Sequence, residues 1–431
     1  MDMTTASILL LLILFVFMIS GLEIAVSMGV VSALGLLFVV GRPIDQLATA
    51  AFDVMNSFTL TAVPLFVFMG AIFFNTGVVR SLFNAIDKLA SGLPGGIGHS
   101  VILANAVFGA MSGSSVAATA LFGKTCYPDM KRLGYSDKLS LGTLASGATL
   151  AVLIPPSLIL IVYGGWENVS VARLFAAGII PGILQTVLFM ATIVTRVKIN
   201  PALAPVPTRY SLKERIIALK DVLPYAVLIF LILGAIFGGV MTPTEAAAMG
   251  AILSILLALV YRKMTFKALK DSLLTAVSIT SMVAFLIFTA RVLGQIFQYT
   301  GIVDDFSELL LSIPGGKYTT LAAIYVMYIL LGDFFDSLSM MVLTLPFISP
   351  VIADLGYSPI WFGVIYVVVA EIGLLTPPLG LNLFVLHSVV PEHSVLTIMR
   401  STIPFMIPLG LLIVILTIFP EIVLWLPNLL Y

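Results

Sequence analysis

Four short stretches put backbone breakers and oxygen-bearing side chains inside long apolar runs, and they form two matched pairs. The first pair is Met-Ser-Gly-Ser-Ser at 111–115 and Leu-Ile-Pro-Pro-Ser at 153–157; the second is Gly-Asp-Phe-Phe-Asp at 332–336 and Leu-Thr-Pro-Pro-Leu at 375–379. Gly113 permits a tight turn, and the hydroxyls of Ser112, Ser114 and Ser115 add oxygen ligands. Pro155 and Pro156 delete two amide donors, which frees carbonyls one turn earlier. Such carbonyls end a half-helix, where the backbone dipole is negative and favours a cation. Ala151, Ile154 and Pro156 are therefore candidate backbone-oxygen donors beside Ser112 and Ser114. Gly373, Thr376 and Pro378 hold the equivalent positions beside Asp336. Hard cations take oxygen ligands, so the two cages suit two sodium ions, one per half. No cysteine or histidine cluster competes: Cys126 is single, and His99, His387 and His393 are scattered.

An anion has its own candidate seats between the cages. Amide groups at hairpin tips and half-helix N-termini attract negative charge, which makes Ser115, Ser157 and Asn382 candidate substrate-binding residues. Arg291, the one basic residue within a span, either attracts a substrate carboxylate or snorkels to the membrane surface or pairs with an acid. Asp333 and Asp336 lie where an acid is expensive and usually functional. Asp336 is read as a cation ligand, with helix capping as the alternative. Glu371 either ends a helix or lines the cavity. Glu23 and Glu245 follow Ser20 and Thr242 at capping-box spacing, the second with Pro243 between them, and both are expected to start helices.

Composition says what solvent surrounds these elements. Sixty per cent of the 431 residues are apolar, 10% are charged, and the mean hydropathy is +1.16. Soluble domains carry roughly 25% charged residues, so lipid must cover most of this surface. A net charge of zero offers no basic face for nucleic acid. Cys126 cannot form an internal disulfide and reads as a small filler residue. The N-terminus is apolar from Ile8, lacks a basic leader and a cleavage site, and reads as a first membrane helix. Runs near the 20 residues needed to cross a bilayer fall at 4–20, 22–40, 57–76, 138–163, 172–197, 222–241, 244–262, 274–298, 360–386 and 401–426. Two further stretches, 98–125 and 317–349, are interrupted midway and follow amphipathic arms at 78–91 and 301–312.

The chain repeats itself at an offset near 222. Glu23 meets Glu245, Thr76-Gly77 meets Thr300-Gly301, Leu-Pro-Gly-Gly at 93–96 meets Ile-Pro-Gly-Gly at 313–316, and Leu-Gly-Tyr-Ser at 133–136 recurs at 355–358. Pro155-Pro156 meets Pro377-Pro378, and Ile180-Pro181 meets Ile403-Pro404. Residues 1–197 form a first repeat, 198–220 a cytoplasmic linker and 221–431 a second repeat. If the two interrupted stretches fold back as re-entrant hairpins, each half has five crossings and the second lies inverted. With the linker inside, 17 of the 21 Lys and Arg residues are cytoplasmic, as the positive-inside rule requires. Both termini are then periplasmic, and the first hairpin opens to the cytoplasm. The expected fold is an all-α polytopic membrane protein of two inverted-topology repeats, each with a re-entrant hairpin and a Pro-Pro-broken helix, a design recurrent in ion-coupled carriers.

These motifs resemble the large membrane subunit of the tripartite ATP-independent periplasmic (TRAP) transporters over essentially the whole chain. The resemblance is carried by "SGSSVAATA" at 112–120, "LIPPS" at 153–157, "DSLSMMVLTLP" at 336–346 and "EIGLLTPPLGLNLF" at 371–384. The chain departs from the family's glycine-rich pattern at Ala148 and Ala151. The resemblance implies a non-enzymatic, multi-pass protein of the bacterial inner membrane, an elevator-type member of the ion transporter superfamily. It implies sodium-driven import of an organic acid: a C4-dicarboxylate, a keto acid or sialic acid. It implies two partners, a periplasmic substrate-binding protein and a small membrane subunit. It further implies sodium ligation by Ser112, Ser114, Ala151, Ile154 and Pro156, and by symmetry Asp336, Gly373, Thr376 and Pro378. The nearest alternative is a stand-alone sodium-coupled organic-anion carrier of similar fold. An ABC-type permease has no place for the hairpin pairs. An intramembrane protease lacks its dyad, and a channel would pass ions unlinked to substrate. Ser114→Leu and Asp336→Leu are each expected to abolish sodium-driven uptake while membrane expression stays intact; unchanged uptake in either variant removes that residue from the site.

Overall fold

Long apolar runs with few polar interruptions satisfy their backbone groups internally as helix, and every described element here is helical. The computed structural model describes residues 3–90, 92–206, 210–376 and 380–431. Pro207 and Arg209 of the connector, and Pro377 and Pro378 of the second proline pair, lie outside the described residues. The chain opens with α1 (Met3–Ile19) and α2 (Ile24–Gly35), which continues through a π-helical turn at Leu36–Val40. Next come α3 (Asp45–Met55), α4 (Ala62–Thr76) and α5 (Val79–Ala90), with α5 bent 79° from α4. A hairpin of α6 (Ile97–Ser112) and α7 (Ser115–Arg132) follows. A broken helix comes next, α8 (Asp137–Gly147), α9 (Leu150–Leu153) and α10 (Leu158–Glu167), and then α11 (Val171–Ile199). The second half runs α12 (Leu212–Phe237), α13 (Pro243–Val260), α14 (Phe266–Thr300) and α15 (Ile302–Leu311). It ends with the hairpin α16 (Lys317–Gly332) and α17 (Ser337–Asp354), α18 (Pro359–Leu375), α19 (Leu381–Val389), α20 (Val395–Ile418) and α21 (Glu421–Leu430).

Among the described residues, seven helical runs are long and apolar enough to cross a membrane, or eight if the bent α4–α5 pair counts as one. The protein is an all-helical polytopic membrane protein. The first arms of the two hairpins, α6 and α16, have 16 residues each. That is about 24 Å of helix, short of the ~30 Å hydrocarbon core.

Several elements differ from the hydropathy reading. α12 begins at Leu212 behind a Ser211–Glu214 capping box, so the basic run assigned to the linker is its first turns. α14 extends to 35 residues, and the expected span at 401–426 is two helices divided at Phe419–Pro420. α3 escapes a hydropathy window because its 11 residues are amphipathic and short. At the second capping position the expectation holds: Glu245 Oε2 accepts from Thr242 N at 2.8 Å, and Glu245 N donates to Thr242 Oγ1 at 3.3 Å. At the first, Glu23 does start a helix but the capping box with Ser20 is absent. Ser20 still belongs to the end of α1, where its hydroxyl donates to Phe17 O at 2.6 Å, and Glu23 starts α2 without a side-chain cap. Gly77 and Gly301 end α4 and α14 in the left-handed region, at φ of 64° and 78°, which is what turns each arm away from its helix.

Burial separates lipid-facing from central helices. In the α8–α10 run, 94% of the most apolar window is buried inside the protein, against 22% in α12. In α18 every residue from Trp361 to Leu375 is buried. Around this centre the halves exchange contacts. Tyr163 of α10 donates to Pro359 O at the start of α18 at 2.7 Å. Ser349 of α17 donates to Glu167 at the end of α10 at 2.5 Å. Tyr127 of α7 lies 2.5 Å from His393 Nε2, in the turn before α20. A second group of helices joins α2 and α4 to α13 and α14: Ser32 Oγ donates to Thr289 O at 3.1 Å, Asn75 to Ser272 at 3.0 Å and Thr244 to Phe58 O at 2.9 Å. Tyr163→Phe should cost about 1 kcal/mol, the value of one hydrogen bond with its carbonyl left unpaired, and lower the thermal midpoint of the purified protein. An unchanged midpoint would show that this tie contributes nothing.

Candidate functional site

The first proline pair meets a hairpin tip across glycine-lined contacts, and in the second half the residues just before the pair do the same. The carbonyls of Ala151 and Val152 would normally bond the amides four residues on, but those residues are Pro155 and Pro156. Ser157 replaces one donor, giving its hydroxyl proton to Val152 O at 2.5 Å and capping α10 at Leu160 N. Ile154 leaves the helix in an extended conformation at ψ 123°, and the Pro155–Pro156 peptide is cis. The tip of the first hairpin is pressed onto this break. A methyl placed on Gly109 would lie 2.5 Å from Ala151 Cα, and one on Gly113 would lie 3.0 Å from Leu158 N and 3.3 Å from Pro156 O. On its other side the tip meets α4, where a methyl on Gly70 would come within 2.7 Å of Ser112 Cα.

Ala151 and Pro156 thus meet the tip that carries Ser112, while Ile154 lies against Gly182 of α11. Ser112 Oγ is buried with no hydrogen-bond partner. Ser114 is turned otherwise: its hydroxyl caps α7, accepting from Ala117 N at 3.3 Å. The unpaired Ser112 hydroxyl and the Ala151 carbonyl, whose usual donor is replaced by Pro155, are oxygens of the kind a small hard cation takes.

The second tip repeats the arrangement with changed side chains. Gly332 and Gly373 face each other, and a methyl on either would lie 2.8 Å from the other's Cα. Gly332 and Gly373 correspond to Gly109 and Ala151 at the offset of the repeat, so Ala151 is tolerated because its opposite is glycine. Thr376 is extended like Ile154; its amide donates to Gly373 O at 3.2 Å and its hydroxyl to Ile372 O at 2.7 Å. Asp336 occupies the place of Ser114 and caps α17, accepting from Leu338 N at 3.0 Å, Ser339 N at 3.1 Å and the Ser339 hydroxyl. Asp333 is buried and its Oδ1 has no partner. Pro378 lies outside the described residues.

Of the four candidate anion-binding residues, the structure brings three to one region. Ser115 donates to Asn382 Oδ1 at 3.3 Å across the two halves, and Asn382 Nδ2 is buried without a partner. Ser157 is buried at the break the tip covers. Arg291 is elsewhere: its Nη2 donates to Gly165 O at 2.9 Å and its guanidinium lies 5.9 Å from the Trp166 ring. Gly165 is eight residues beyond Ser157, about 12 Å along α10. Arg291 opens on a cavity of about 520 Å³ lined by Asp53, Ser57, Thr59, Asn168 and Ser170. Asp53 also borders a second cavity of about 700 Å³, where Arg42 stacks 4.6 Å over Tyr299. Motif reading misses Gly109, Gly70 and Gln185. A lone residue inside an apolar helix carries no local signal; only the tertiary contact reveals it. The repeat offset was the one available clue to Gly109, since it points to Gly332 beside the Asp333 tip.

The model of the tripartite ATP-independent periplasmic transporter DctM component matches residues 11–422. The chain is 34% identical over 405 residues to the C4-dicarboxylate TRAP transporter large permease protein DctM of Pseudomonas aeruginosa, covering 93% of this chain and 94% of that protein. It is 34% identical over 378 residues to the sialic acid TRAP transporter permease protein SiaT of Haemophilus influenzae, covering 87% of this chain and 61% of that longer protein. In fold it resembles the Alcanivorax borkumensis YdaH transporter, with a TM-score of 0.60 at 15% identity over 90% of both chains. Gly109→Val should force α6 from α9 and cost about 1–3 kcal/mol or more through overpacking, read as a fall of the thermal midpoint in detergent. An equal midpoint would mean that the close approach is not under constraint.

Proposed function

The chain belongs to the DctM component family of tripartite ATP-independent periplasmic transporters, and on that premise we propose that it imports an organic acid across the bacterial inner membrane in symport with sodium. One observation carries the reading. Two tip-and-break assemblies, Gly109 on Ala151 and Gly332 on Gly373, recur within one residue of the repeat offset, and each has a buried unpaired oxygen at its tip, on Ser112 and on Asp333. Two such donor sets give each half a seat for one sodium ion. Sodium is a co-substrate here: its gradient supplies the work, and the protein supplies oxygens in place of its water. Ser112, Ala151, Ile154 and Pro156 would serve the first ion, with Ser114 holding the tip by capping α7. Asp333, Gly373, Thr376 and Pro378 would serve the second, with Asp336 holding its tip by capping α17.

The halves are proposed to be inverted, as the placement of 17 of 21 basic residues supports. The termini are then periplasmic and the α6–α7 hairpin opens to the cytoplasm. The helices from α6 to α10 with α16 to α19 form the moving body of an elevator, supported by the ties of Tyr163, Ser349 and Tyr127. α2, α4, α13 and α14 form its scaffold. The substrate class follows the names of the relatives, a C4-dicarboxylate or a sialic acid. Its carboxylate would be met by Ser115, Ser157 and Asn382, whose unpartnered amide is a ready donor. Arg291 keeps further N–H donors beyond the one on Gly165 O, with which it would meet an anion in the cavity it lines. A soluble periplasmic binding protein and a small membrane subunit complete the tripartite assembly.

The test is uptake into proteoliposomes holding the chain with its small membrane partner. C4-dicarboxylate and sialic acid are each offered with and without an inward sodium gradient, and with and without the cognate binding protein. Uptake of one acid at least tenfold above background, only when gradient and binding protein are both present, is expected. Full uptake without the binding protein would favour a stand-alone carrier. Uptake indifferent to sodium would overturn the reading.

A further inference from the structure

Glu371 is a fully buried acid at the centre of the protein for which the proposed cycle has no use. It projects from α18 towards Gln185 of α11, whose Nε2 donates to Glu371 Oε2 at 2.5 Å and to Thr149 Oγ1 at 3.1 Å. Thr149 donates to Ser146 O at 2.7 Å, and its hydroxyl also faces the Glu371 carboxyl. Glu371 Oε1 and Gln185 Oε1 are both buried without a partner. The cluster therefore offers four oxygens, two of them unpaired, against the donors of one amide and one hydroxyl.

The positions are as telling as the atoms. Residues 149 and 371 differ by 222, the offset of the internal repeat. Thr149 and Glu371 are thus equivalent residues of the two halves, brought to the same Gln185 amide where the halves meet. Each stands two residues before a proposed sodium donor, Ala151 in one half and Gly373 in the other. An uncompensated carboxylate in the membrane interior costs several kcal/mol, and one amide with one hydroxyl does not offset that. A small hard cation accepts carboxylate, amide-carbonyl and hydroxyl oxygens together.

We infer that Glu371, Gln185 and Thr149 form a third monovalent-cation site, for sodium, lying between the two tip-and-break cages. The inference rests on the sodium-coupled reading and deepens it. Three sodium ions per dianion would carry net positive charge inward, so the membrane potential would add to the driving force.

The experiment counts sodium on the full chain purified with its membrane partner, by equilibrium binding of radioactive sodium and by the reversal potential of coupled uptake in proteoliposomes. Wild type is expected to bind three ions. Glu371→Gln keeps the size of the side chain and its contact with Gln185, and is expected to bind one fewer. Thr149→Val removes a single oxygen and is expected to raise half-saturating sodium about fivefold, leaving half-saturating substrate unchanged. A wild-type count of two overturns the inference, as does an undiminished count in Glu371→Gln with unaltered sodium dependence in Thr149→Val. The binding arm reads out even if Glu371→Gln cannot transport. Sodium-independent uptake by the wild type would instead sink the sodium-coupled function itself.

Discussion

A backbone carbonyl that has lost its donor inside hydrocarbon is the constraint on which the rest of this structure depends. Pro155 and Pro156 impose it on Ala151 and Val152, and Pro377 and Pro378 impose it on Gly373 and Leu374. Neither break could face lipid. The α8–α10 run is accordingly the most enclosed of the candidate spans, and α18 is buried from Trp361 to Leu375. Local side chains mend part of the damage: Ser157 donates to Val152 O, and the Thr376 amide turns back to Gly373 O. The hairpin tips cover what remains, and they reach it only because glycine stands at Gly109, Gly113, Gly332 and Gly373. The same constraint thus explains the burial, the hairpins and the glycines.

Covering each break from a hairpin has a mechanical consequence. The tips and breaks are bound to each other by backbone proximity, and the two halves are bound by Tyr163, Ser349, Tyr127 and the Ser115–Asn382 pair. These ties are what the proposed elevator needs of a body that moves as a unit. Its contacts with the outer helices include Gly70 of α4 against Ser112, Gly294 of α14 against Pro346, Phe297 of α14 against Phe347, and a hydrogen bond from Arg291 to Gly165 O. Smooth glycine surfaces suit sliding, and a single arginine on a carbonyl suits a contact that is made and released. The proposed elevator divides the molecule along this seam.

Acids in the membrane interior mark where that body handles charge. Three are present in its central helices, and their surroundings differ. Asp336 is occupied in capping α17, with two amides and the Ser339 hydroxyl on its oxygens. Asp333 retains an unpaired oxygen at the tip, and Glu371 retains one beside Gln185. Oxygens left permanently unpaired there would carry a large penalty, which the proposed sodium ions would relieve.

Much of this was legible in the sequence, because membrane helices obey length and composition. The apolar runs, the doubled prolines, the Ser-Gly-Ser tip and the repeat offset determined an all-helical membrane protein with two breaks and two hairpins. Local patterns also determined the Thr242–Glu245 cap, since capping acts within one helical turn. The same rule misled at Ser20, whose hydroxyl stayed with α1, because where a helix ends depends on more than spacing. Asp336 could be read as cation ligand or cap, and only the tertiary structure showed it capping. Only tertiary structure could show that Gly109 faces Ala151, that Arg291 holds Gly165 O away from Asn382, and that Glu371 meets Thr149 through Gln185. The physical reason is range. Donor loss at a proline is written in the neighbouring residues, but the group that meets the orphaned oxygen comes from a helix far along the chain.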